Sequence, residues 1–354
     1  MREYVRTKNL REGDVTSETL YNEKMQVLLR AGNKLNIRAI ETIRKLGYKG
    51  IYIENQESCR REEIPLPQPL LNNEMMLRMA ARLKKMVERA SVDGSQISGF
   101  IHMLEDDVED IVAIIRDRAN RQELLYEMYD MRMASNWLYY HSIATCILSA
   151  GIAVMLGFTD EQVRSIALGG MLHDIGKVFL GDDLYEKTDI TEDERQHLRE
   201  HPEQMFRLLQ RVTTLPIDTT YAVWQHHEKC DGSGYPLGIA KDKIYMSAQI
   251  VALANVYDNM TNITPYQDPM TGAEAYEYLA GCGQYSVECV QALRSFASIY
   301  NVGTKVLLSD GRIAVVLKNV PGIPERPYLL CEGKVLRMAY DYQLMALVIA
   351  DEIS

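Results

Sequence analysis

The chain has 354 residues, 47% of them hydrophobic, and its 49 acidic and 39 basic side chains give a net charge of −10. This length predicts two or three domains with buried cores, and the acidic balance argues against a DNA or RNA polymer as partner, because such partners need a basic face. A small anionic substrate is compatible with the charge when metal ions meet it.

The sequence also bears on location. The N-terminal residues lack the apolar segment of a secretory signal, and no apolar run reaches the ~18–20 residues that cross a bilayer. Six cysteines without Cys-x-x-Cys spacing predict reduced thiols, not a disulfide framework or a zinc ribbon. We therefore expect a cytoplasmic protein with no membrane span.

Residues 1–64 predict a small α+β accessory module. Strands are expected at residues 23–30 and 51–53, around a helix over residues 36–46 whose isoleucines recur at helical spacing. Nothing in this module forms a catalytic set, so a regulatory or scaffolding role is expected.

Residues 65–121 predict a linker, marked by three prolines, and connecting helices. The first helix is rich in methionine, which favours packing in a core or against a partner helix. The second carries the acidic run Glu105-Asp106-Asp107, which predicts a solvated helix face. These helices are candidates for pairing two chains into a homodimer.

Residues 122–300 predict a helical bundle that carries the candidate chemistry. Thr159 and Gln162 have the spacing of a capping box at a helix start. Helices are expected over residues 123–157, 163–172, 191–210 and 246–260.

Residues 301–354 predict a β-rich extension. Ser309-Asp310-Gly311 lies between two runs of β-rich residues and predicts a hairpin. Further strands are expected at residues 328–331 and 344–349. The predicted fold class is therefore mainly α, with a helical bundle between a small α+β module and a small β extension.

Five of the seven histidines fall in the bundle together with Asp174 and Lys177. They are His141, His173, His201, His226 and His227. A buried His-Asp pair costs several kcal/mol unless its charge is compensated, and a metal ion would compensate it. Imidazoles on facing helices with one shared carboxylate are typical of two-metal sites, and Asp174 is the natural bridge.

Single elements of this set leave alternatives open. The pair His226-His227 alone is equally typical of two half-buried surface histidines. His197 and His201 lie four residues apart on one helix face, so either fits as a ligand by spacing.

The order of the motifs identifies a family resemblance. A lone histidine, then His-Asp-Ile-Gly-Lys, then His-Pro-Glu, then His-His-Glu-Lys-Cys-Asp-Gly-Ser-Gly-Tyr-Pro resembles the HD-GYP family. This family consists of HD-superfamily metal-dependent phosphodiesterases that act on cyclic di-GMP. The resemblance covers roughly residues 125–300 and implies an HD-type bundle.

The resemblance implies roles for particular residues. It favours His201 over His197, because the family histidine precedes Pro-Glu, and it implies that Asp174 and Lys177 are catalytic. The implied metal ligands are His141, His173, Asp174, His201, His226, His227 and, as a weaker ligand, Asn255. The implied substrate-binding residues are Lys177, Gly232, Gly234, Tyr235, Pro236 and Tyr266.

The chain departs from the family pattern at five positions. Asn255 stands where a ligand aspartate is usual, and Trp137 stands where members with a third metal carry glutamate, so two metals are expected. Gln249 and Thr264 stand where arginine is usual, and Asp268 stands where lysine is usual. The loss of these basic side chains is expected to weaken guanine and phosphate binding. Iron or manganese suits these ligands best, with magnesium, nickel or zinc as alternatives.

The leading hypothesis is a two-metal phosphodiesterase. It would open a cyclic dinucleotide, cyclic di-GMP first, to a linear dinucleotide or GMP by attack of a metal-bridged hydroxide. One alternative is a weakly active or inactive receptor that binds the nucleotide and signals. A third is a phosphohydrolase of another nucleotide.

Overall fold

A computed structural model describes residues 2–22, 26–46, 48, 50–54, 70–71, 73–90, 97–126, 137–181, 184, 187, 189–212, 215–262 and 270–353. Its α-helices are α1 Ile37–Lys45, α2 Asn73–Ala90, α3 Ile97–Asn120, α4 Trp137–Met155, α5 Asp160–Leu172, α6 Glu192–Leu198, α7 His201–Leu209, α8 Ile217–Gln225, α9 Met246–Thr261, α10 Gly272–Gly281 and α11 Val287–Phe296. Its strands are β1 Arg2–Arg6, β2 Leu20–Tyr21, β3 Val27–Leu29, β4 Gly50–Glu54, β5 Lys305–Leu308, β6 Ile313–Lys318, β7 Tyr328–Cys331, β8 Lys334–Arg337 and β9 Ile349–Ile353. The predicted fold class is confirmed.

The N-terminal module has its own small core. Strands β1 and β4 pair antiparallel, and β2 pairs with β3. Helix α1 begins where the Asn36 side chain accepts a hydrogen bond from the Ala39 N–H, as a helix cap does. Its buried residues Ile40 and Ile43 pack with Ile51 of β4, so the predicted helix and strand pattern is confirmed here.

Helices α2 and α3 pack on the bundle. The buried methionines Met79 and Met86 lie in the main core, in agreement with a packing role. The acidic run of α3 is not wholly a solvated face, however. Asp107 is fully buried, and its Oδ1 lies 2.6 Å from Arg82 Nη1 of α2. This pair joins the two helices, because a buried carboxylate needs a partner.

Helix α4 is the central helix of the bundle. It contacts α3, α5, α9 and α11, and nearly every residue along it is buried. By length and composition it is long and apolar enough to cross a membrane, so the expectation that no run reaches this length is wrong. The relevant window is 94% buried inside the protein, however, as in a core helix.

Two predicted helix bounds are wrong. The helix expected from residue 123 does not begin there, because the described residues 123–125 are not helical and Tyr126 bridges Ala297 in a strand-like contact. The helix expected over residues 191–210 is divided into α6 and α7, with Pro202 in the first turn of α7. Pro202 has no N–H to donate to a carbonyl of the preceding turn, so one continuous helix cannot pass through this point.

The C-terminal extension is one antiparallel sheet in the order β8-β7-β6-β5-β9. The hairpin predicted at Ser309-Asp310-Gly311 joins β5 to β6 and is confirmed. The strand expected at residues 344–349 is wrong, because β9 begins at Ile349. Ile299 and Tyr300, just after the last helix, pack into the core of this sheet.

We expect the stability of the fold to depend on Glu352 of β9. Burial, with the charges of Glu274 and Asp351, raises its pKa from 4.5 to about 7. The folded state therefore holds this proton more tightly than the unfolded chain, and the stability that it contributes is lost as pH rises from about 4.5 to about 7. In thermal unfolding scans, Glu352→Gln should gain melting temperature over the wild type as pH rises through this window. A melting-temperature difference that stays constant from pH 4.5 to 8 would contradict this expectation.

Candidate metal centre

Three of the candidate histidines are held at helix termini in the same way. The Nδ1 of His173 lies 2.8 Å from the Gly170 carbonyl, that of His201 2.6 Å from the Leu198 carbonyl, and that of His226 2.7 Å from the Val223 carbonyl. A carbonyl oxygen can only accept, so each Nδ1 carries the proton and donates it. Each Nε2 lone pair is then left for a metal ion.

His141 is oriented by a carboxylate. Its Nδ1 donates to Asp258 Oδ2 at 2.6 Å, and Asp258 Oδ1 accepts from Asn262 Nδ2 at 3.0 Å. Asp258 and His141 are both fully buried. Such a carboxylate fixes the tautomer of a ligand histidine and raises its basicity. Sequence reasoning did not assign this role to Asp258, although its place one turn after Asn255 on α9 puts both residues on one face.

The ligand atoms form two clusters that share Asp174. His141, His173 and Asp174 form one, and Asp174, His201, His226 and His227 form the other, with the atoms of each within 4.8 Å of one another. Asp174 Oδ2 lies 3.4 Å from His141 Nε2, and Asp174 Oδ1 lies 3.1 Å from His201 Nε2. Each carboxylate oxygen therefore faces a different cluster.

The glycine of His-Asp-Ile-Gly-Lys allows this convergence. The short 3-10 helix Ile175–Leu180 packs directly on the start of α7, and a Cβ at Gly176 would lie 2.2 Å from the His201 carbonyl oxygen. A larger residue would push His201 away from Asp174.

The Nε2 atoms of neighbouring histidines face one another in both clusters, which tests whether metal ions fit. His141 Nε2 lies 3.1 Å from His173 Nε2, and His201 Nε2 lies 3.2 Å from His226 Nε2. Among the described residues, the buried atoms Asp174 Oδ1 and His227 Nε2 also have no hydrogen-bond partner. Apposed lone pairs and unsatisfied buried acceptors are costly alone and favourable around a cation. The two clusters therefore fit a dinuclear metal site.

The electrostatics of the site agree with this fit. Burial lowers the pKa of His173 and His227 well below 6.5, and it lowers the pKa of His201 to about 4. Burial opposes ionisation of Asp174, but the charge of Lys177 and the histidine contacts lower its pKa well below 3.8. His141 is the exception, since Asp174 and Asp258 outweigh burial and raise its pKa. Neutral imidazoles around an ionised carboxylate are the ligand forms that divalent metals bind.

An aromatic ring stacks on one histidine of each cluster, His141 in one and His227 in the other. Trp137 stacks on His141 with ring centroids 4.9 Å apart, and Tyr235 stacks on His227 with centroids 4.4 Å apart. Lys177 Nζ donates to Asp174 Oδ2 at 2.5 Å and lies 5.5 Å from the centroid of the Trp137 ring. The ring of Trp137 thus occupies the side of His141 where a further acidic ligand was considered from sequence.

The loop after His227 is held by Glu228. Its buried carboxylate accepts backbone N–H bonds from Leu237 at 2.6 Å, Gly238 at 3.2 Å and Ile239 at 3.1 Å. Gly234 allows the loop to fold back, because a Cβ there would lie 2.4 Å from the His227 carbonyl oxygen. Sequence reasoning assigned no role to Glu228, whereas its position fixes the loop that carries Tyr235 and Pro236.

The remaining candidate residues lie in different surroundings. His197 lies outside the clusters, and its Nε2 donates to the Leu180 carbonyl at 3.2 Å. Asn255 Oδ1 accepts from Asn259 Nδ2 at 2.6 Å, and its role as a ligand stays a prediction. Gln249 donates to the carbonyls of Lys241 and Ile244, which is a structural role. Thr264, Tyr266 and Asp268 lie outside the described residues.

Comparisons with known proteins agree with the site. Residues 119–284 match the HD domain family. The chain is 34% identical over 218 residues to the cyclic di-GMP phosphodiesterase PA4108 of Pseudomonas aeruginosa. This match covers 60% of this chain and 51% of that protein. It is 36% identical over 146 residues to the cyclic di-GMP phosphodiesterase response regulator RpfG of Xanthomonas campestris pv. campestris. This match covers 40% of this chain and 39% of that protein.

A solved structure shares the fold. The HD-GYP-type protein Bd1817 of Bdellovibrio bacteriovorus superposes with a TM-score of 0.50 at 18% identity, over 83% of this chain and 98% of that chain. By contrast, the matched stretch spans about half or less of the length of the two curated relatives.

We expect Asp258→Asn to lower metal affinity by roughly 10–100-fold, because an amide orients His141 less firmly and does not raise its basicity. Competition titration with Mn²⁺ would measure this. Asp106→Asn, which removes an exposed carboxylate of α3, is the matched control and should bind Mn²⁺ like the wild type. Equal affinities for all three proteins would contradict a role for Asp258 in the site.

Proposed function

Because this chain contains an HD domain related to those of HD-GYP cyclic di-GMP phosphodiesterases, we propose that it is a two-metal phosphodiesterase of cyclic dinucleotides. The observation that carries the proposal is the placement of Asp174, whose two oxygens face separate histidine clusters. A shared carboxylate between two such clusters is the arrangement that clamps a phosphodiester for hydrolysis.

The chain divides its ligands between two ions. His141, His173 and Asp174 would hold one, and Asp174, His201, His226 and His227 would hold the other. When bound, the two ions would supply an activated water and neutralise charge on the phosphate. Histidine and carboxylate ligands suit iron or manganese, and we propose these two metals ahead of magnesium, nickel or zinc.

Other residues orient the site and meet the charge of the substrate. Asp258 and three backbone carbonyls hold the imidazoles with Nε2 inward. The Lys177 ammonium, 2.5 Å from Asp174 Oδ2, stabilises negative charge that develops beside this carboxylate. The rigid loop that contains Gly232, Gly234, Tyr235 and Pro236 forms the rim on which we propose that the nucleotide rests. Burial of these groups strengthens each of these interactions.

Cyclic di-GMP is the proposed substrate, since both relatives described above carry this activity in their names. The purified protein, loaded with Mn²⁺ or Fe²⁺, should convert cyclic di-GMP to a linear dinucleotide or GMP in a chromatographic assay. Cyclic di-AMP and 3′3′-cGAMP in the same panel would define the purine that is accepted. His173→Ala should abolish turnover, while His197→Ala, a histidine outside the clusters, should retain it. Intact substrates in every reaction would contradict the proposal.

A second candidate function is a nucleotide receptor with little turnover, and Asn255 favours it. A neutral amide whose oxygen is already hydrogen-bonded to Asn259 is a poor metal ligand. In this case the metal clusters would still bind the nucleotide and signal through the N-terminal module. The cytoplasmic location and the homodimer also stay predictions.

We expect Asn255→Asp to raise metal affinity and turnover by roughly tenfold or more, because a carboxylate adds a charge-assisted ligand. Steady-state kinetics at limiting Mn²⁺ would measure this. Asn259→Asp adds the same charge one turn further along α9 and is the control, which should show no gain. A decrease in both quantities for Asn255→Asp would show that the amide is the better residue here.

A further inference from the structure

A stack of three side chains leads from the cluster of Asp174, His201, His226 and His227 to the protein surface. Tyr235 stacks on His227 at an interplanar angle of 20°, and Arg199 Cζ lies 5.5 Å from the centroid of the Tyr235 ring. Arg199 is exposed, whereas His227 Nε2 is buried. The stack therefore runs from a candidate metal ligand, through an aromatic ring, to a cation at the rim.

Within the described part of the chain, the Arg199 guanidinium forms no ion pair. Its basic neighbours are paired: Lys187 with Glu194 at 2.6 Å, Arg195 with Glu192 at 3.5 Å and Arg207 with Glu203 at 3.1 Å. Among the residues that the structure describes, Arg199 has no carboxylate within ion-pair distance. The Arg199 side chain lies over the face of the Tyr235 ring. An aromatic face attracts a guanidinium without using its N–H groups, so these groups can bind a ligand.

The aromatic ring under Arg199 lies on a fixed loop. The loop of Tyr235 is held by three backbone hydrogen bonds to the buried carboxylate of Glu228. A cation on a rigid platform loses less conformational entropy when it binds than one on a free side chain. The chain as a whole carries a net charge of −10, so an anionic ligand depends on such local cations for attraction.

A cyclic dinucleotide presents two phosphodiester groups, and the metal centre hydrolyses one of them at a time. Lys177 is already bound to Asp174 inside the site. We propose that Arg199 binds the second phosphate, the one that is not undergoing cleavage, and so selects substrates with two phosphates. This inference rests on the proposed function and makes Arg199 a substrate-binding residue outside the ligand set.

The test compares two substrates and two arginines of one segment. Arg199→Gln should raise KM for cyclic di-GMP by roughly 10–100-fold with kcat changed less than about threefold, because a charge-assisted phosphate contact is lost. Arg195→Gln removes an ion-paired arginine of α6 and should behave like the wild type. Arg199→Lys should restore part of the loss, since it keeps the charge without the planar fork.

Bis(p-nitrophenyl) phosphate, which has a single phosphate, is the discriminating substrate. Wild type and Arg199→Gln should hydrolyse it with equal kcat/KM and bind Mn²⁺ in equal amounts. Equal losses on both substrates would overturn the inference, because Arg199 would then act on the reacting phosphate or on the fold. Identical KM values for Arg199→Gln and Arg195→Gln with cyclic di-GMP would also overturn it.

Calorimetric titration of cyclic di-GMP into the Mn²⁺-loaded protein separates this inference from the proposed function. If the wild type binds without turnover, the hydrolase proposal fails, and a Kd raised at least tenfold in Arg199→Gln over Arg195→Gln still supports the role of Arg199. Equal Kd values would overturn that role alone. A wild type that neither binds nor hydrolyses cyclic di-GMP would overturn both.

Discussion

The structure depends on one buried carboxylate. Asp174 is fully buried, and an isolated charge at such a place would cost many kcal/mol. The bundle offsets this cost with Lys177, with four imidazoles that approach its two oxygens, and with the two cations that the clusters fit. Helix packing, loop geometry and ligand tautomers can all be understood as ways to bring partners to this carboxylate.

Backbone construction brings those partners together. Three imidazoles are aimed inward by carbonyls three residues before them, at the ends of α5, α6 and α8, so their orientation is set locally, before any ligand binds. Gly176 and Gly234 remove the side chains that would hold α7 and the loop after His227 at a distance. This preorganisation matters because a site assembled by packed backbone loses little entropy when it takes up metal or substrate.

His141 and His227 are surrounded differently on the sides where aromatic rings stack on them. Trp137 and Lys177 enclose His141 within the protein, whereas Tyr235 and Arg199 continue from His227 to the surface. Burial on the enclosed side weakens the screening of the Lys177 charge by solvent, and the open side offers a cation to solvent. Under the proposed function, this asymmetry would divide the site into an enclosed side for the reacting phosphate and an open side for recognition.

Local patterns in the sequence determined much of this protein. Isoleucine spacing, the capping box of Thr159 and Gln162, and the Ser309-Asp310-Gly311 turn predicted α1, α5 and the β5–β6 hairpin, because these signals act over a few residues. The order of the histidine motifs likewise indicated the HD-GYP resemblance. Only the tertiary structure decided which side chains meet: that Asp258 orients His141 across 117 residues, that Glu228 holds a loop, that Asp107 is buried, and that Arg199 lies over Tyr235. Such contacts depend on how distant helices and loops pack together, which no local spacing encodes.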